Sequence, residues 1–184
     1  YPRDTEYGKF SRGLANMLLI RLYLHETPED QSYYNKVETI AREMMTADYG
    51  YAMVDDYPSL FELAGQSKCT SEYIYVVPCA IDGPSQNQWH MMAMPPDIDG
   101  LVQGWATVQS TWYFYDSFEP NDTRKTYLIP EYTTGDGVIR NRENPDQYLD
   151  LGPLPQKYEI DPAVPGSGGY SDLDIVVYRY PDVL

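Results

Sequence analysis

The chain has 184 residues, enough for one domain with a buried core, and its formal net charge is −15. Nucleic acids and anionic membrane surfaces are bound by basic faces, so this charge argues against both as partners. The aromatic residues are 19 Tyr and 3 Trp against only 4 Phe. Tyr and Trp combine an apolar face with a polar edge, which suits binding surfaces, although most of the tyrosines are expected to pack at the edges of the fold.

Residues 11–49 predict two helices joined by a turn at 27–30, where Pro28 forces the preceding residue out of helical geometry. In the first helix, nine of the eleven residues 14–24 are apolar, and almost no polar side remains. We expect such a helix to be buried on most of its circumference, with His25 as a core residue. It is too short to span a bilayer, which needs roughly 20 apolar residues.

The second predicted helix has a one-sided apolar stripe, which is typical of a helix that lies on a core. The hairpin has about the length of one tetratricopeptide-type unit, roughly 34 residues, and one such unit cannot bury its own apolar faces. We therefore expect the first helix to need neighbours from a longer protein, and the isolated segment to unfold with poor cooperativity. The stripe comprises Tyr33, Val37, Ile40, Ala41, Met44 and Asp48, and Tyr34 and Met45 widen it.

Residues 50–184 predict short elements separated by irregular stretches. An extended run at 72–77 would hold Cys69 and Cys79 roughly 30 Å apart, so no disulfide is expected between them. The other predicted elements are a helical turn starting at Pro58, a helix at 110–118 capped by Ser110, a strand at 125–133, a hairpin turn at 135–137 and a closing strand at 174–178.

A long loop is predicted at residues 80–104, because this stretch contains several Pro and Gly residues and no helical or strand periodicity. Loops of this length are usually functional or disordered. Three methionines and Trp89 argue against disorder here. The sequence therefore predicts that a binding site, if present, includes the loop at 80–104.

No catalytic or metal-binding motif occurs in the sequence. There is no GxSxG nucleophile elbow and no phosphate-binding glycine loop. Two distant histidines without a CxxC pair argue against zinc, and Ca²⁺ binding, although open to so acidic a chain, has no EF-hand loop to support it. Asp116 and Glu119 are a carboxylate pair of the kind glycosidases use, but any acidic chain supplies such pairs. We interpret Asp116, Asp122 and Arg124 as a charge network that shapes a turn, and we predict a binding protein without catalytic residues or cofactor.

Short motifs follow one another along nearly the whole chain. They are GLANMLLIRLYL at 13–24, YYNKV at 33–37, YPSLF at 57–61, SEYIYV at 71–76, Gly104-Trp105, DSFE at 116–119, DTR at 122–124, Lys157-Tyr158 and IVVYRYPDVL at 175–184. Each motif alone is weak, but the ordered series resembles the middle part of a SusD/RagB-type nutrient-binding outer-membrane lipoprotein. Pro181 departs from the family pattern, in which alanine is commoner at that point.

The resemblance implies a mainly α fold with irregular loops and short β-strands, SusD-like, in which a tetratricopeptide-type hairpin carries a loop-rich ligand-binding excursion. Residues 1–184 would be part of a single SusD/RagB-like domain, with the helical hairpin at 11–49 and a loop-rich region at 50–184. The family's lipidated N-terminus, earlier helical repeats and final helices find no match here, so we expect the chain to be a fragment. Family members are not enzymes.

The function implied is capture of oligosaccharides at the outer cell surface and their transfer to a SusC-type TonB-dependent outer-membrane transporter. Two alternatives stay open: peptide capture, as in RagB-like relatives, and a helical-repeat scaffold without a small ligand. Family members build their ligand surface largely from irregular excursions. We therefore expect ligand contacts from Trp89, Trp105 and the neighbouring Asn87, Gln88 and His90, where aromatic faces lie beside amides.

A packing role is also open for Trp105, because it lies in a recurrent motif of the family. Trp112 and Tyr115 are interpreted as packing residues of the short helix at 110–118.

Overall fold

The computed structural model describes residues 7–100, 104–161 and 169–184. The chain divides into two compact units. Unit 1 consists of Tyr1–Cys79 and Asp174–Leu184, and unit 2 consists of Ala80–Leu173. The last eleven residues of the chain thus belong to the same unit as its first part.

The predicted helical hairpin is confirmed in unit 1, with α1 at Arg12–Glu26 and α2 at Tyr33–Met44. Ser11 caps α1, since its hydroxyl accepts a hydrogen bond from the backbone N–H of Leu14 at 3.1 Å. The apolar stripe of α2 packs on a core formed by both helices and the strand that follows. This core contains Met17, Ile20, Met44, Tyr49, Ile74 and Val183, with Val37, Ile40 and Ala41 packed against it.

The expected burial of α1 on most of its circumference is wrong for the part of the chain described here. Met17 and Ile20 are buried on the side that faces α2, whereas Leu18 and Leu22 are 52% and 53% exposed. His25 is exposed too, and is not the core residue that we expected. The reason is geometric: α2 and β1 meet α1 at the core around Met17 and Ile20, and Leu18 and Leu22 lie on the opposite side of the helix.

The predicted strands of unit 1 form one antiparallel pair, β1 at Tyr73–Val77 and β6 at Ile175–Arg179. The pairing is irregular on both sides of Tyr75, which opposes Tyr178. The predicted turn at Pro58 is also found, as a 3-10 helix at Pro58–Phe61, and the short helix α3 follows at Leu63–Gln66. Cys69 and Cys79 are both free.

Unit 2 is built from short elements. Its helices are α4 at Trp89–Ala93 and α5 at Trp112–Asp116, and a 3-10 helix lies at Thr123–Tyr127. Its strands are β2 at Leu128–Ile129, β3 at Glu131–Thr133, β4 at Ile139–Asn141 and β5 at Leu154–Pro155; β2 pairs with β5, and β3 pairs with β4.

The single strand expected at 125–133 is wrong, because its first part is the 3-10 helix and Pro130 separates β2 from β3. Proline has no N–H for a ladder hydrogen bond. The predicted hairpin turn at 135–137 is confirmed, and it joins β3 to β4 with Gly137 in the left-handed region at φ +83°.

The cap and the charge network of α5 also differ from the sequence-based expectation. Thr111, and not Ser110, caps the helix, since the Thr111 hydroxyl accepts from the N–H of Phe114. Asp116 forms a bidentate ion pair with Arg142, at 3.0 and 3.1 Å. Of the three residues predicted to form one charge network, Asp122 and Arg124 pair with each other. The hydrogen bond from Arg124 lowers the pKa of Asp122 to about 2.

Candidate functional site

Helix α4 lies in the stretch 80–104, which was predicted to be a long loop, and it positions the predicted ligand residues. The end of α4 contributes Ala93 and Met94 to the core of unit 2, whereas Met92 is 38% exposed. That core contains Ala93, Met94, Tyr132, Leu149 and Leu154. The segment is short and buried on one side, so five residues gave too little periodicity for a helix to be recognised.

Asn87 and His90 are both buried, each with 2% of its surface exposed. The Asn87 side chain accepts from the N–H of Trp89 at 2.8 Å and donates to the carbonyl of Leu173 at 3.0 Å. The His90 ring contacts the carbonyl of Glu159, and burial lowers the pKa of His90, so the ring is neutral at pH 7. In this arrangement both side chains hold α4 in place, and neither reaches the surface.

Trp89 and Gln88 are half-buried at the start of α4. The indole N–H of Trp89 donates to the carbonyl of Pro155 at 2.8 Å, and its ring meets Tyr158 edge-on with centroids 6.0 Å apart. Trp89 also packs against the core of unit 2. The indole is therefore anchored, and only part of its face is open to solvent.

Trp105 is the predicted ligand residue that is most exposed, with 50% of its surface accessible. Its backbone is fixed to α4, because the N–H of Trp105 donates to the carbonyl of Met91 and the N–H of Ala106 donates to the carbonyl of Met94. Ala106 is held in the left-handed region at φ +47°, which is unfavourable for a residue with a Cβ. A tryptophan with an exposed ring and a fixed backbone is a pre-positioned flat surface.

The structure thus brings four of the five predicted residues together on or beside α4, and hydrogen-bonds the backbone of Trp105 to the same helix. The five side chains differ in solvent accessibility: Trp105 is half-exposed, Trp89 and Gln88 are half-buried, and Asn87 and His90 are buried.

The exposed aromatic residues of α5 were missed by the sequence analysis. Trp112 and Tyr115 pack as predicted, since the Trp112 indole donates to the carbonyl of Leu149 and the two rings meet edge-on at 5.8 Å. On the remaining surface of the helix, Tyr113 is 87% exposed and Phe114 is 48% exposed. Helical spacing alone would have found them, because they lie between the two packing residues.

A cavity of about 510 Å³ in unit 1 was also missed. Tyr49 and Tyr51, two residues apart, and Tyr73 and Tyr75, also two residues apart, contribute to its lining. The repeated Tyr-x-Tyr spacing was visible in the sequence, but what it lines depends on how distant segments pack.

Within the described ranges 7–100, 104–161 and 169–184, no group of three or more His, Cys, Asp or Glu side chains is placed to hold a metal ion. The helices in those ranges include none of the length and apolarity that a membrane span requires.

No protein-family model matches the chain, and neither does any curated protein. Solved structures do resemble it. Surface glycan-binding protein A from Bacteroides thetaiotaomicron superposes with a TM-score of 0.72 at 17% identity, over 98% of this chain and 43% of that one. A SusD superfamily protein from Bacteroides fragilis NCTC 9343 gives 0.68 at 16% identity, over 100% and 40%. NanU from B. fragilis gives 0.65 at 20% identity, over 96% and 39%.

These similarities establish the fold. The chain has a SusD-like fold, mainly α with irregular loops and short β-strands, as the ordered motifs predicted. It spans about two fifths of the length of each of these proteins: 40%, 39% and 43%.

Proposed function

We propose that this chain is part of a cell-surface glycan-binding protein that captures oligosaccharides and does not chemically alter them. The observation that carries the proposal is Trp105, half-exposed on a backbone that α4 holds fixed, within a SusD-like fold. One structure of the same fold is named a surface glycan-binding protein. A flat indole face binds the C–H side of a pyranose ring with little loss of conformational entropy.

Within the proposed site the five residues have different roles. Trp105 is the platform on which the sugar stacks. Trp89 and Gln88, half-buried, flank the ligand with an indole edge and an amide. Asn87 and His90 act as positioning residues that hold α4, because their side chains are buried and bonded to backbone carbonyls.

The absence of catalysis is part of the proposal, and the charges near α5 support it. The Asp116 carboxylate is engaged by Arg142 in a two-point ion pair. A carboxylate whose two oxygens both bind a guanidinium is not free to act at a glycosidic bond.

We also propose that the glycan passes to a SusC-type TonB-dependent transporter at the outer membrane. The support is the resemblance of the sequence motifs to SusD/RagB-type lipoproteins together with the SusD-like fold. Co-purification of the complete protein with a large outer-membrane barrel tests this step, and its solitary elution from solubilised membranes would contradict it.

The variant Trp105→Ala tests the proposed site. Against a panel of neutral gluco-, xylo- and manno-oligosaccharides, we expect the dissociation constant of the best ligand to rise about 10-fold or more, which is about 1.4 kcal/mol. Tyr113→Ala is the matched control, because it also removes an exposed aromatic ring of unit 2. Equal affinities for Trp105→Ala and the parent chain would remove Trp105 from the site.

A further inference from the structure

The cavity in unit 1 lies among the start of α1, the segment after α2 and strand β1. Its volume of about 510 Å³ falls within the range of roughly 300–1,000 Å³ that is usual for small-molecule sites. Five tyrosines line it: Tyr7, Tyr49, Tyr51, Tyr73 and Tyr75. The Trp105 site of unit 2 shares none of these residues.

The hydroxyls of three of the tyrosines are engaged by the protein itself. Tyr7 donates to Asp174 at 2.6 Å, Tyr73 donates to the carbonyl of Leu60 at 2.7 Å, and Tyr49 accepts from Asn16 at 2.8 Å. Burial, followed by the hydrogen bond to Asp174, raises the pKa of Tyr7, so this hydroxyl remains a donor. Tyr49 and Tyr73 are buried behind the surface of the cavity. The rings that a ligand can reach are therefore those of Tyr7, Tyr51 and Tyr75, which are exposed or half-buried.

The aromatic wall is also held against rotation. Tyr51 stacks on Tyr49 at 6.0 Å and on Tyr180 at 6.1 Å. At the hydroxyl end of the Tyr51 ring, the backbone of Gly13 approaches so closely that a Cβ there would overlap the hydroxyl oxygen. A ring restrained in this way is pre-organised, and binding to it costs less entropy.

The mouth of the cavity is polar and carries one charge of each sign. Lys9, Asp48 and Thr70 contribute to the lining and are exposed. An ammonium group donates hydrogen bonds, a carboxylate accepts them, and a hydroxyl does both, which matches the alternating donors and acceptors of a sugar rim. The two charges cancel, and the net charge of −15 on the chain repels polyanions.

From this combination we propose that the cavity of unit 1 is a second carbohydrate site, which takes a neutral pyranose unit between its tyrosine wall and its polar mouth. The inference extends the proposed function to a second site, but it rests on separate residues and is tested separately.

The experiment compares Tyr75→Leu with Tyr75→Phe, because the first removes the ring from the wall and the second keeps it. Both variants are made in the Trp105→Ala protein, and binding of the neutral gluco-, xylo- and manno-oligosaccharide panel is measured by saturation-transfer NMR and calorimetry. We expect binding to remain in Trp105→Ala, to weaken at least 10-fold with Tyr75→Leu, and to survive Tyr75→Phe. Asp48→Asn, at an exposed position that cannot disturb the core, should weaken binding several-fold.

Loss of all saccharide binding on Trp105→Ala alone would overturn the second site and leave the proposed function intact. Unchanged saccharide binding in both Tyr75→Leu and Asp48→Asn would also overturn the second site and leave the proposed function intact. Conversely, if Trp105→Ala has no effect while Tyr75→Leu abolishes binding, the second site stands and the proposed role of Trp105 fails. If Tyr75→Leu does not fold, Asp48→Asn decides the question by itself.

Discussion

Gly104 is the residue on which the placement of Trp105 depends most directly. At this point the backbone passes so close to the end of α4 that a Cβ would overlap the carbonyl of Met94. The obstacle is backbone, which cannot move aside as a flexible side chain would. The Gly-Trp pair of the sequence motif is thus explained by packing: the glycine permits the approach, and the tryptophan that follows is left facing solvent.

Replacing Gly104 with alanine should therefore lower the free energy of unfolding by about 1–3 kcal/mol, the usual cost of overpacking, and weaken glycan binding by displacing Trp105. The matched control is Gly135→Ala, since a Cβ there meets only the carbonyl of Asp97 at an ordinary 3.9 Å. Urea unfolding followed by circular dichroism measures both variants. Equal stabilities for the two would contradict the close approach at Gly104.

The roles of individual residues were only partly predictable from the sequence. Trp105 was predicted to contact a ligand, with a packing role also open, and it is 50% exposed. The prediction that Asn87 and His90 contact a ligand stays a prediction. The structure shows both side chains buried and bonded to the carbonyls of Leu173 and Glu159, 86 and 69 residues away along the chain. A sequence pattern contains no information on such a distant partner, so it could not distinguish a polar side chain that holds the fold from one that meets a ligand.

At the scale of elements, the two sides of helix α1 differ in burial, and one substitution on each side tests that difference. Ile20 is 3% exposed and lies in the core of unit 1, whereas Leu22 is 53% exposed. We expect Ile20→Ala to lower the free energy of unfolding by about 2–5 kcal/mol, because it leaves a cavity. Leu22→Ala, with similar chemistry two residues away, should change it by less than about 0.5 kcal/mol.

Chemical denaturation of these two variants is the measurement. A cost for Leu22→Ala as large as that for Ile20→Ala would mean that the outer side of α1 is covered in this chain, contrary to the structure.

Elements with long, regular patterns were predicted well, and short ones were not. The apolar stripe of α2 predicted both the helix and its buried side, and the apolar runs of β1 and β6 predicted the two strands. Nothing local indicated that β1 and β6 pair, because about a hundred residues separate them. Short elements such as α4 and β2 owe their form to tertiary contacts, which override the weak preferences of two to five residues.

At the scale of the whole molecule, the order of weak motifs was more informative than any single motif. No family model matches the chain, yet the fold that the ordered motifs predicted is the one that the solved structures share. The division into two units was not predicted, since it depends on the last eleven residues returning to the first unit.

The central claim is that this chain binds oligosaccharides without converting them. The most direct test titrates the purified chain, by calorimetry, with neutral oligosaccharides and with peptides of similar size, and analyses each mixture afterwards for cleavage products. We predict saturable binding of at least one oligosaccharide, no binding of the peptides and no product. Saturable binding of peptides alone, or cleavage of the bound sugar, would contradict the account.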